Sequence, residues 1–286
     1  MEQTDPAALT TLVDLQRYPI HALASDEGRR LVARCRDALD GVGCIVLPDF
    51  VAPLPLARMA EEARRLAGQA HFNDIRTNPY SSDDDPTLPP GHPVRLFDER
   101  TNGFVGGDLL EPDTTIRRLY RSDALIAFLA ACMRIERLYV YADPIADAVV
   151  NVLRPGCQFP WHFDNNDYTI TILTQLPEAG GIFEFCPKIR SATEQNFAAV
   201  GRALRGDRAA VRQLALKPGD LQIFYGRNSL HRVTRIEGKR ERHSVIYAYV
   251  EDPLRIGGAE RTRRIYGRVH PRHLGAAEQT KTRDAL

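Results

Sequence analysis

The hydrophobic pattern divides the chain into a first half with helical spacing and a second half with the spacing of strands. Apolar residues recur every three or four positions over 25–41, 56–70 and 122–133, which predicts three amphipathic helices. From residue 138 onward the chain shows short apolar runs separated by turn residues, which is typical of an antiparallel sandwich or barrel. Residues 192–214 interrupt these runs with a helical composition and predict a helical insert.

We expect one domain over residues 1–286, of the α+β, mainly β class. Residues 1–137 are predicted to be mainly helical, 138–252 to form the β core, and 253–286 to form a tail or lid. Within the helical half, residues 71–114 are rich in Pro, Asp and Gly and lack sustained periodicity, which predicts a long loop. Long loops in compact domains are usually functional, so we expect specificity elements in this one.

The composition is that of an ordinary soluble globular protein, with 43% hydrophobic and 26% charged residues. A formal net charge of +1 gives no reason to expect nucleic acid or an anionic membrane as a partner. No apolar run approaches the roughly 20 residues of a membrane span, and the acidic, polar N-terminus does not resemble a secretory signal. The 5 scattered cysteines form no C-x-x-C pair, which argues against a disulfide framework and favours a cytoplasmic protein.

The stretch WHFDNND, residues 161–167, places a histidine and a carboxylate two positions apart. On an extended segment His162 and Asp164 start from one face, and His231, near the mouth of the predicted barrel, is the best candidate for a second histidine. Two histidines and a carboxylate that leave coordination positions open form the facial triad of non-haem Fe(II) oxygenases. A lone H-x-D also occurs by chance, in which case His162 is a turn residue and Asp164 forms an Asx-turn.

Arg242 and Ser244 share one face of the last long strand by the same period of two. A guanidinium beside a hydroxyl is suited to bidentate recognition of a buried carboxylate. Together, H-x-D, the distant histidine, the P-G-D turn and R-x-S resemble the Fe(II)/2-oxoglutarate-dependent oxygenase superfamily over about residues 145–250. The resemblance implies a double-stranded β-helix core (jelly-roll, cupin-like) with Fe(II), 2-oxoglutarate and O2 as cofactors.

The resemblance also implies roles for individual residues. Metal binding and catalysis fall to His162, Asp164 and His231. Binding of 2-oxoglutarate falls to Arg242 and Ser244, and Thr171 is expected to add a contact from the inner face of its strand. Shorter motifs, RYPI, HPVR, PEAGGIFEF, GRNSLHRV and YGR, resemble the carrier-independent amino-acid halogenase and hydroxylase group. In its halogenating members a small residue replaces the carboxylate ligand; Asp164 stands at that position here, so the resemblance implies a hydroxylase.

Polar residues near the predicted site are expected to contact the substrate: Arg95, Asn165, Asn166, Asp167 and Arg227. Arg95 is included because of the resemblance, and for Arg227 an exposed strand charge is the competing interpretation. The predicted reaction is oxidation of an unactivated C–H bond of a free amino acid or related small polar metabolite, by default hydroxylation. Desaturation, cyclisation, halogenation, a zinc-dependent cupin-type enzyme and a non-catalytic ligand-binding protein stay open, as does a homodimer.

Overall fold

The computed structural model describes Leu9 and residues 11–274, so the end of the predicted tail, residues 275–286, lies outside the described range. The helices are α1 (Asp26–Val42), α2 (Pro53–Leu66), α3 (Thr115–Tyr120), α4 (Asp123–Met133), α5 (Phe197–Leu204), α6 (Ala259–Tyr266) and α7 (Pro271–Leu274). Short 3-10 turns occupy Ala67–Gln69, Pro93–Arg95 and Gly107–Leu109.

The strands before residue 160 are short except for one: β1 (Cys44–Leu47), β2 (His71–Phe72), β3 (Ile75–Thr77), β4 (Asp98–Arg100), β5 (Gly103–Val105), β6 (Tyr139–Val140), β7 (Ala148–Leu153) and β8 (Phe159–His162). The later strands are β9 (Thr169–Gln175), β10 (Ala179–Gly180), β11 (Phe183–Cys186), β12 (Arg212–Leu214), β13 (Leu221–Phe224), β14 (Leu230–Val233), β15 (Ile236–Glu237), β16 (Arg242–Tyr247) and β17 (Tyr249–Val250).

Two antiparallel sheets face each other across an apolar layer. The larger has the strand order β1-β13-β9-β16-β7-β5-β2, and the smaller has the order β12-β11-β14-β8. Leu153 and Leu173 of the larger sheet and Phe183, Phe185 and Val233 of the smaller one belong to a single buried cluster between them. This is the mainly β, α+β architecture that the sequence pattern predicts.

The helices α1, α2 and α4 cover the other face of the larger sheet. Leu39 and Met59 on these helices are fully buried in the same cluster as Val150 and Val152 of β7. Burying side chains of this size stabilises a fold by about 1.5–3 kcal/mol each. Because strand side chains alternate, Asn151 between the two valines points to the opposite face, into the space between the sheets.

Local capping sets the limits of α1, which leads into the sheet. The Ser25 hydroxyl accepts from the Gly28 N–H at 3.1 Å and caps the first turn. The helix ends at Gly43, whose φ of 71° is left-handed and whose N–H donates to the Leu39 carbonyl. The sequence pattern predicts a helix that ends at residue 41; Gly41 lies inside the observed helix, and the left-handed cap is Gly43.

Residues 71–114, which the sequence predicts to be a long loop, contain regular structure. They contain β2 to β5; β5 and β2 extend the larger sheet beyond β7, while β3 and β4 pair with each other. Strands of two or three residues are too short to show a period of two, which is why the sequence pattern missed them. The predicted insert is similarly mixed, with α5 followed by β12.

A buried polar pair anchors the C-terminal segment. His273 Nε2 donates to Asp143 Oδ2 at 2.9 Å, and both side chains are fully buried. The Gly257 N–H donates to the same carboxylate oxygen at 3.0 Å. In the chain between Gly257 and His273, α6 packs against β2 and β5. Its Tyr266 ring lies 6.0 Å from that of Phe104, centroid to centroid. The segment after residue 253 is therefore tied to the core. None of the helices within the described range is long and apolar enough to cross a membrane.

Candidate metal centre and active site

Adjacent strands of the smaller sheet bring the two predicted histidine ligands together. His162 ends β8 and His231 lies on β14, and the antiparallel register pairs them directly. A turn after β8 returns the Asp164 carboxylate to the same point, with Oδ1 3.6 Å from His162 Nε2 and 3.3 Å from His231 Nε2. One ligand atom from each of the three residues lies within 4.8 Å of the others, a spacing that one metal ion can bridge.

Hydrogen bonds to the backbone fix the orientation of both imidazoles. His162 Nδ1 lies 2.7 Å from the Pro160 carbonyl oxygen, and His231 Nδ1 lies 2.9 Å from that of Ser229. Because a carbonyl oxygen can only accept, each Nδ1 carries a proton, and Nε2 is the ring nitrogen that faces Asp164 and can bind a metal. Such hydrogen bonds to the second ring nitrogen are typical of metal-binding histidines.

The Asp164 carboxylate is held from two sides. Its Oδ2 accepts from Thr169 Oγ1 at 2.7 Å, and its backbone N–H donates to the Gly226 carbonyl at 3.1 Å. A Cβ at position 226 would lie 1.9 Å from Oδ2, so only glycine allows this approach. Burial alone would raise the pKa of Asp164, but His231 and His162 hold it well below its usual range. Burial, together with His231, lowers the pKa of His162 to about 4.

Aromatic side chains enclose the ligand rings. Phe159 stacks on His162 with 3.8 Å between centroids and 8° between planes. Phe224 meets His231 edge-on at 4.8 Å. These contacts restrict rotation of the imidazoles and exclude water from around them. Two imidazoles and one carboxylate are the donor set that suits Fe(II).

Arg242 lies buried at the start of β16, and no residue in the described part of the chain serves as its counter-ion. It is 3% exposed, its Nη1 donates to Ser244 Oγ at 3.3 Å, and its Nε has no hydrogen-bond partner. Burial lowers the pKa of Arg242 to about 10, and no carboxylate of the described residues opposes that effect. An unpaired buried charge is costly, and a ligand carboxylate would offset the cost. The arrangement therefore fits the distal carboxylate of 2-oxoglutarate.

A cavity between the two sheets connects the three ligands with Arg242. Thr171 and Ser244 line it, as their predicted roles require. Asn151 and Gln222 also line it, although the sequence analysis did not select them. Their signal was a single polar residue inside an apolar strand, in VVNVL and LQIF. The register places them opposite Ser244 and Thr171 respectively, on the inward face.

The predicted substrate residues after Asp164 lie at the rim of the site. Arg227 Nη1 donates to the Asn165 carbonyl at 3.0 Å, and its Nε lies 3.4 Å from Asp167 Oδ1. Asn166 and Asp167 are exposed and do not line the cavity. Their roles in substrate binding stay predictions.

Arg95 does not reach the cavity, contrary to the expectation from the sequence. Its Nε and Nη2 donate to Asp84 at 3.0 and 3.3 Å, and its Nη1 donates to the Leu88 carbonyl at 2.9 Å. Asp84, whose carboxylate neutralises Arg95, lies in the same segment, residues 78–97, which connects β3 to β4. Asp84 lies in the run SSDDDP, where the sequence alone gives no indication of a partner.

Comparison with solved structures identifies the fold. The epimerase SnoN from nogalamycin biosynthesis superposes with a TM-score of 0.54 at 15% identity, covering 78% of this chain and 83% of that one. AviO1 from Streptomyces viridochromogenes gives 0.52 at 17% identity, covering 77% and 95%. A 2OG-Fe(II) oxygenase family oxidoreductase from Burkholderia pseudomallei gives 0.50 at 17%, covering 78% and 92%. SnoN has also been solved in complex with Fe3+ and alpha ketoglutarate. The predicted double-stranded β-helix fold is thus confirmed.

The family comparison is more specific. The profile of the Halogenase D (HalD) family matches residues 100–256, more than half of the chain, and this range contains the ligand triad and Arg242. No curated protein matches the chain. The predicted superfamily is confirmed, and the ligand triad and Arg242 fit its cofactors, whereas the hydroxylase subgroup stays a prediction. The chain belongs to the Halogenase D family and is an oxidoreductase of the Fe(II)/2-oxoglutarate-dependent oxygenase superfamily.

Proposed function

We propose that this enzyme hydroxylates an unactivated C–H bond of a free amino acid or a related small polar metabolite. The observation that carries the proposal is the Asp164 carboxylate, whose Oδ1 completes a set of three ligand atoms with His162 and His231. A halogenating enzyme of this type needs the third protein position open for a halide. Here a carboxylate occupies it, fixed by Thr169 and seated against Gly226.

Each residue of the site has a separate task in this scheme. His162, Asp164 and His231 would hold Fe(II), which supplies the oxidising chemistry together with 2-oxoglutarate and O2. Arg242, oriented by Ser244, would bind the distal carboxylate of 2-oxoglutarate and fix its position relative to the ligands. The aromatic walls exclude water, which strengthens these charged contacts and limits side reactions.

Halogenation is the second candidate, because the matching family profile is that of Halogenase D. Space for a halide would require the Asp164 side chain to be absent or displaced from its contact with Thr169.

We place the activity in the cytoplasm, supported by the cysteines, all of which are unpaired in the structure.

The binding of metal and 2-oxoglutarate can be tested without a substrate. Anaerobic addition of Fe(II) and 2-oxoglutarate should produce a weak visible charge-transfer band. Arg242→Gln should weaken the band, whereas Arg212→Gln, a matched change at an exposed position on β12, should not. Absence of the band in well-folded protein would overturn the oxygenase function.

The choice between hydroxylation and halogenation requires a product assay. Amino-acid and metabolite mixtures should gain one oxygen atom by mass spectrometry, with or without chloride or bromide. Asp164→Gly should abolish hydroxylation and is the variant in which a halide adduct would first appear. A halide-dependent mass shift with the wild-type protein would contradict hydroxylation and establish the second candidate.

A further inference from the structure

Arg100, the last residue of β4, lies one ring away from a metal ligand. Its Cζ is 4.6 Å from the centroid of Phe159, which in turn stacks on His162 at 3.8 Å. Its Nε donates to Asn102 Oδ1 at 3.1 Å. No carboxylate of the described residues lies within ion-pair distance of its guanidinium, so the stack ends in an uncompensated positive charge at the rim of the site.

Arg261 on α6 approaches the ligands from the C-terminal segment. With the Asn165 amide oxygen turned toward α6, it accepts from Arg261 Nη1 and Nη2 at 2.5 and 3.0 Å. Asn165 directly follows the ligand Asp164. Arg261 also lacks a carboxylate partner among the described residues, although much of its side chain is exposed.

Positive charge on α6 acts on Arg100. Desolvation, followed by the charges of Arg261 and Arg264, lowers the pKa of Arg100 to about 10. Several other arginines pair with carboxylates, for example Arg268 with Asp108. Arg100 and Arg261 differ from such pairs, because no carboxylate of the described residues lies within ion-pair distance of either guanidinium.

The cofactors would not neutralise this charge. The charges of Fe(II) and Arg242 are balanced by Asp164 and the two carboxylates of 2-oxoglutarate. Asp164 is the one carboxylate among the described residues that line the cavity, and it belongs to the ligand set. A positively charged substrate group inside the cavity would thus find no carboxylate outside the ligand set, and Asp167 at the rim already lies 3.4 Å from Arg227 Nε.

We propose that Arg100 and Arg261 form an anion-binding subsite at the mouth and that the substrate is a net-anionic molecule held there through a carboxylate or phosphate group. This inference rests on the proposed function and narrows its substrate class. It also gives the C-terminal segment a task. The contact of His273 with Asp143 keeps α6 in place, and α6 supplies half of the subsite.

Binding to the anaerobic complex with Fe(II) and 2-oxoglutarate tests the charge preference. The probes are L-glutamate with its neutral partner L-glutamine, O-phospho-L-serine with its neutral partner L-serine, and L-lysine. Their binding is measured from the change in the visible band and by calorimetry. We expect an anionic member to bind about tenfold or more tightly than its neutral partner, and L-lysine to bind no better than the neutral probes. The two pairs distinguish a carboxylate from a phosphate ligand. Equal or undetectable binding of both members in both pairs would overturn the subsite while the band itself still supports the oxygenase function.

Variants assign the preference to the two arginines. Arg261→Gln and Arg100→Gln should each reduce the ratio of anionic to neutral probe affinity about tenfold. Arg100→Lys should retain part of this ratio because the charge remains. Arg263→Gln, the same change on another face of α6, should leave it unaltered. An unchanged preference in both glutamine variants would contradict the proposal. Absence of the band in wild-type protein would overturn the proposed function and this inference with it.

Discussion

Two buried arginines, Arg117 on α3 and Arg242 on β16, have opposite surroundings. Arg117 is 6% exposed, pairs with Asp147 through Nη1 and donates to the Leu110 carbonyl at 3.5 Å. Arg242 is 3% exposed and has one polar contact, Ser244. One guanidinium is neutralised by the fold, and the other is left for a ligand. The comparison separates a charge that stabilises the structure from a charge that serves binding.

The difference should be visible in the free energy of unfolding. A buried ion pair that loses one partner leaves a charge without compensation, which is strongly destabilising. An arginine that already lacks a partner has no such pair to lose, and its removal relieves a desolvation cost. Stability measurements and ligand titrations should therefore respond to different arginines.

Asp147→Ala should have the largest effect on stability. It leaves Arg117 buried and unpaired, so the free energy of unfolding should fall by about 3–5 kcal/mol in urea denaturation. The double variant Arg117→Met/Asp147→Leu should recover most of the loss, because both charges are then gone. Affinity of the folded protein for 2-oxoglutarate should not change. A single variant as stable as wild type would show that the pair contributes nothing.

Glu184 extends the comparison to a buried carboxylate with partners. Burial raises the pKa of Glu184, but hydrogen bonds from Arg208, Gln213 and Arg232 have a larger, opposite effect. The net result is a pKa lowered from the ordinary value of 4.5 to about 2. Because the folded pKa lies below the unfolded one, the ionised group contributes stability above about pH 4.5 and loses it as the pH falls toward 2. The shift corresponds to about 3 kcal/mol.

Urea denaturation of wild type and Glu184→Gln across this pH range checks that expectation. The stability difference should be largest near neutral pH and should shrink as the pH falls from about 4.5 toward 2. A difference that does not depend on pH would mean that the ionised form is not the one the arginines hold.

Arg242→Met should mainly affect ligand binding. Its Kd for 2-oxoglutarate, from anaerobic titration of the visible band, should rise about 100-fold, which is about 2.7 kcal/mol. The apoprotein should be as stable as wild type or slightly more stable. Arg242→Lys should lie between the two, because an ammonium keeps the charge but not the bidentate geometry. A large loss of apoprotein stability would remove the distinction between Arg242 and Arg117.

Ser244→Ala should have the smallest effect of the series. The hydroxyl orients the guanidinium through one hydrogen bond, so its loss should weaken 2-oxoglutarate binding about fivefold, or about 1 kcal/mol. The same titration measures it, with Thr174→Ala, a change outside the cavity lining, as the control. An effect as large as that of Arg242→Met would mean that Ser244 contacts the ligand directly.

The residues whose positions follow from local strand geometry could be predicted from the sequence. His162 and Asp164 are two residues apart on one segment, and Arg242 and Ser244 share a strand face by the period of two. The motif context supplied His231, and the register of β14 with β8 places it opposite His162. Strand alternation was sufficient for Arg242 and Ser244, whereas the ligand set also needed the motif context.

Features that depend on tertiary packing or on irregular segments could not be predicted. Arg95 has a partner, Asp84, within a segment that shows no periodicity. Arg261 reaches Asn165 from a helix almost a hundred residues later, and Arg100 is positioned by stacking on Phe159. These contacts require the packed tertiary structure, because neither residue type nor spacing distinguishes these arginines from solvent-exposed ones.

The contact between Asp164 and Gly226 links two positions that are 62 residues apart in the sequence. Since a Cβ at 226 would overlap the carboxylate, the two positions cannot vary independently. A relative with a side chain at the position of Gly226 must carry a shorter residue at that of Asp164. The two positions should therefore covary across the family. The residue at position 226 should then indicate whether a relative has a carboxylate as the third protein ligand.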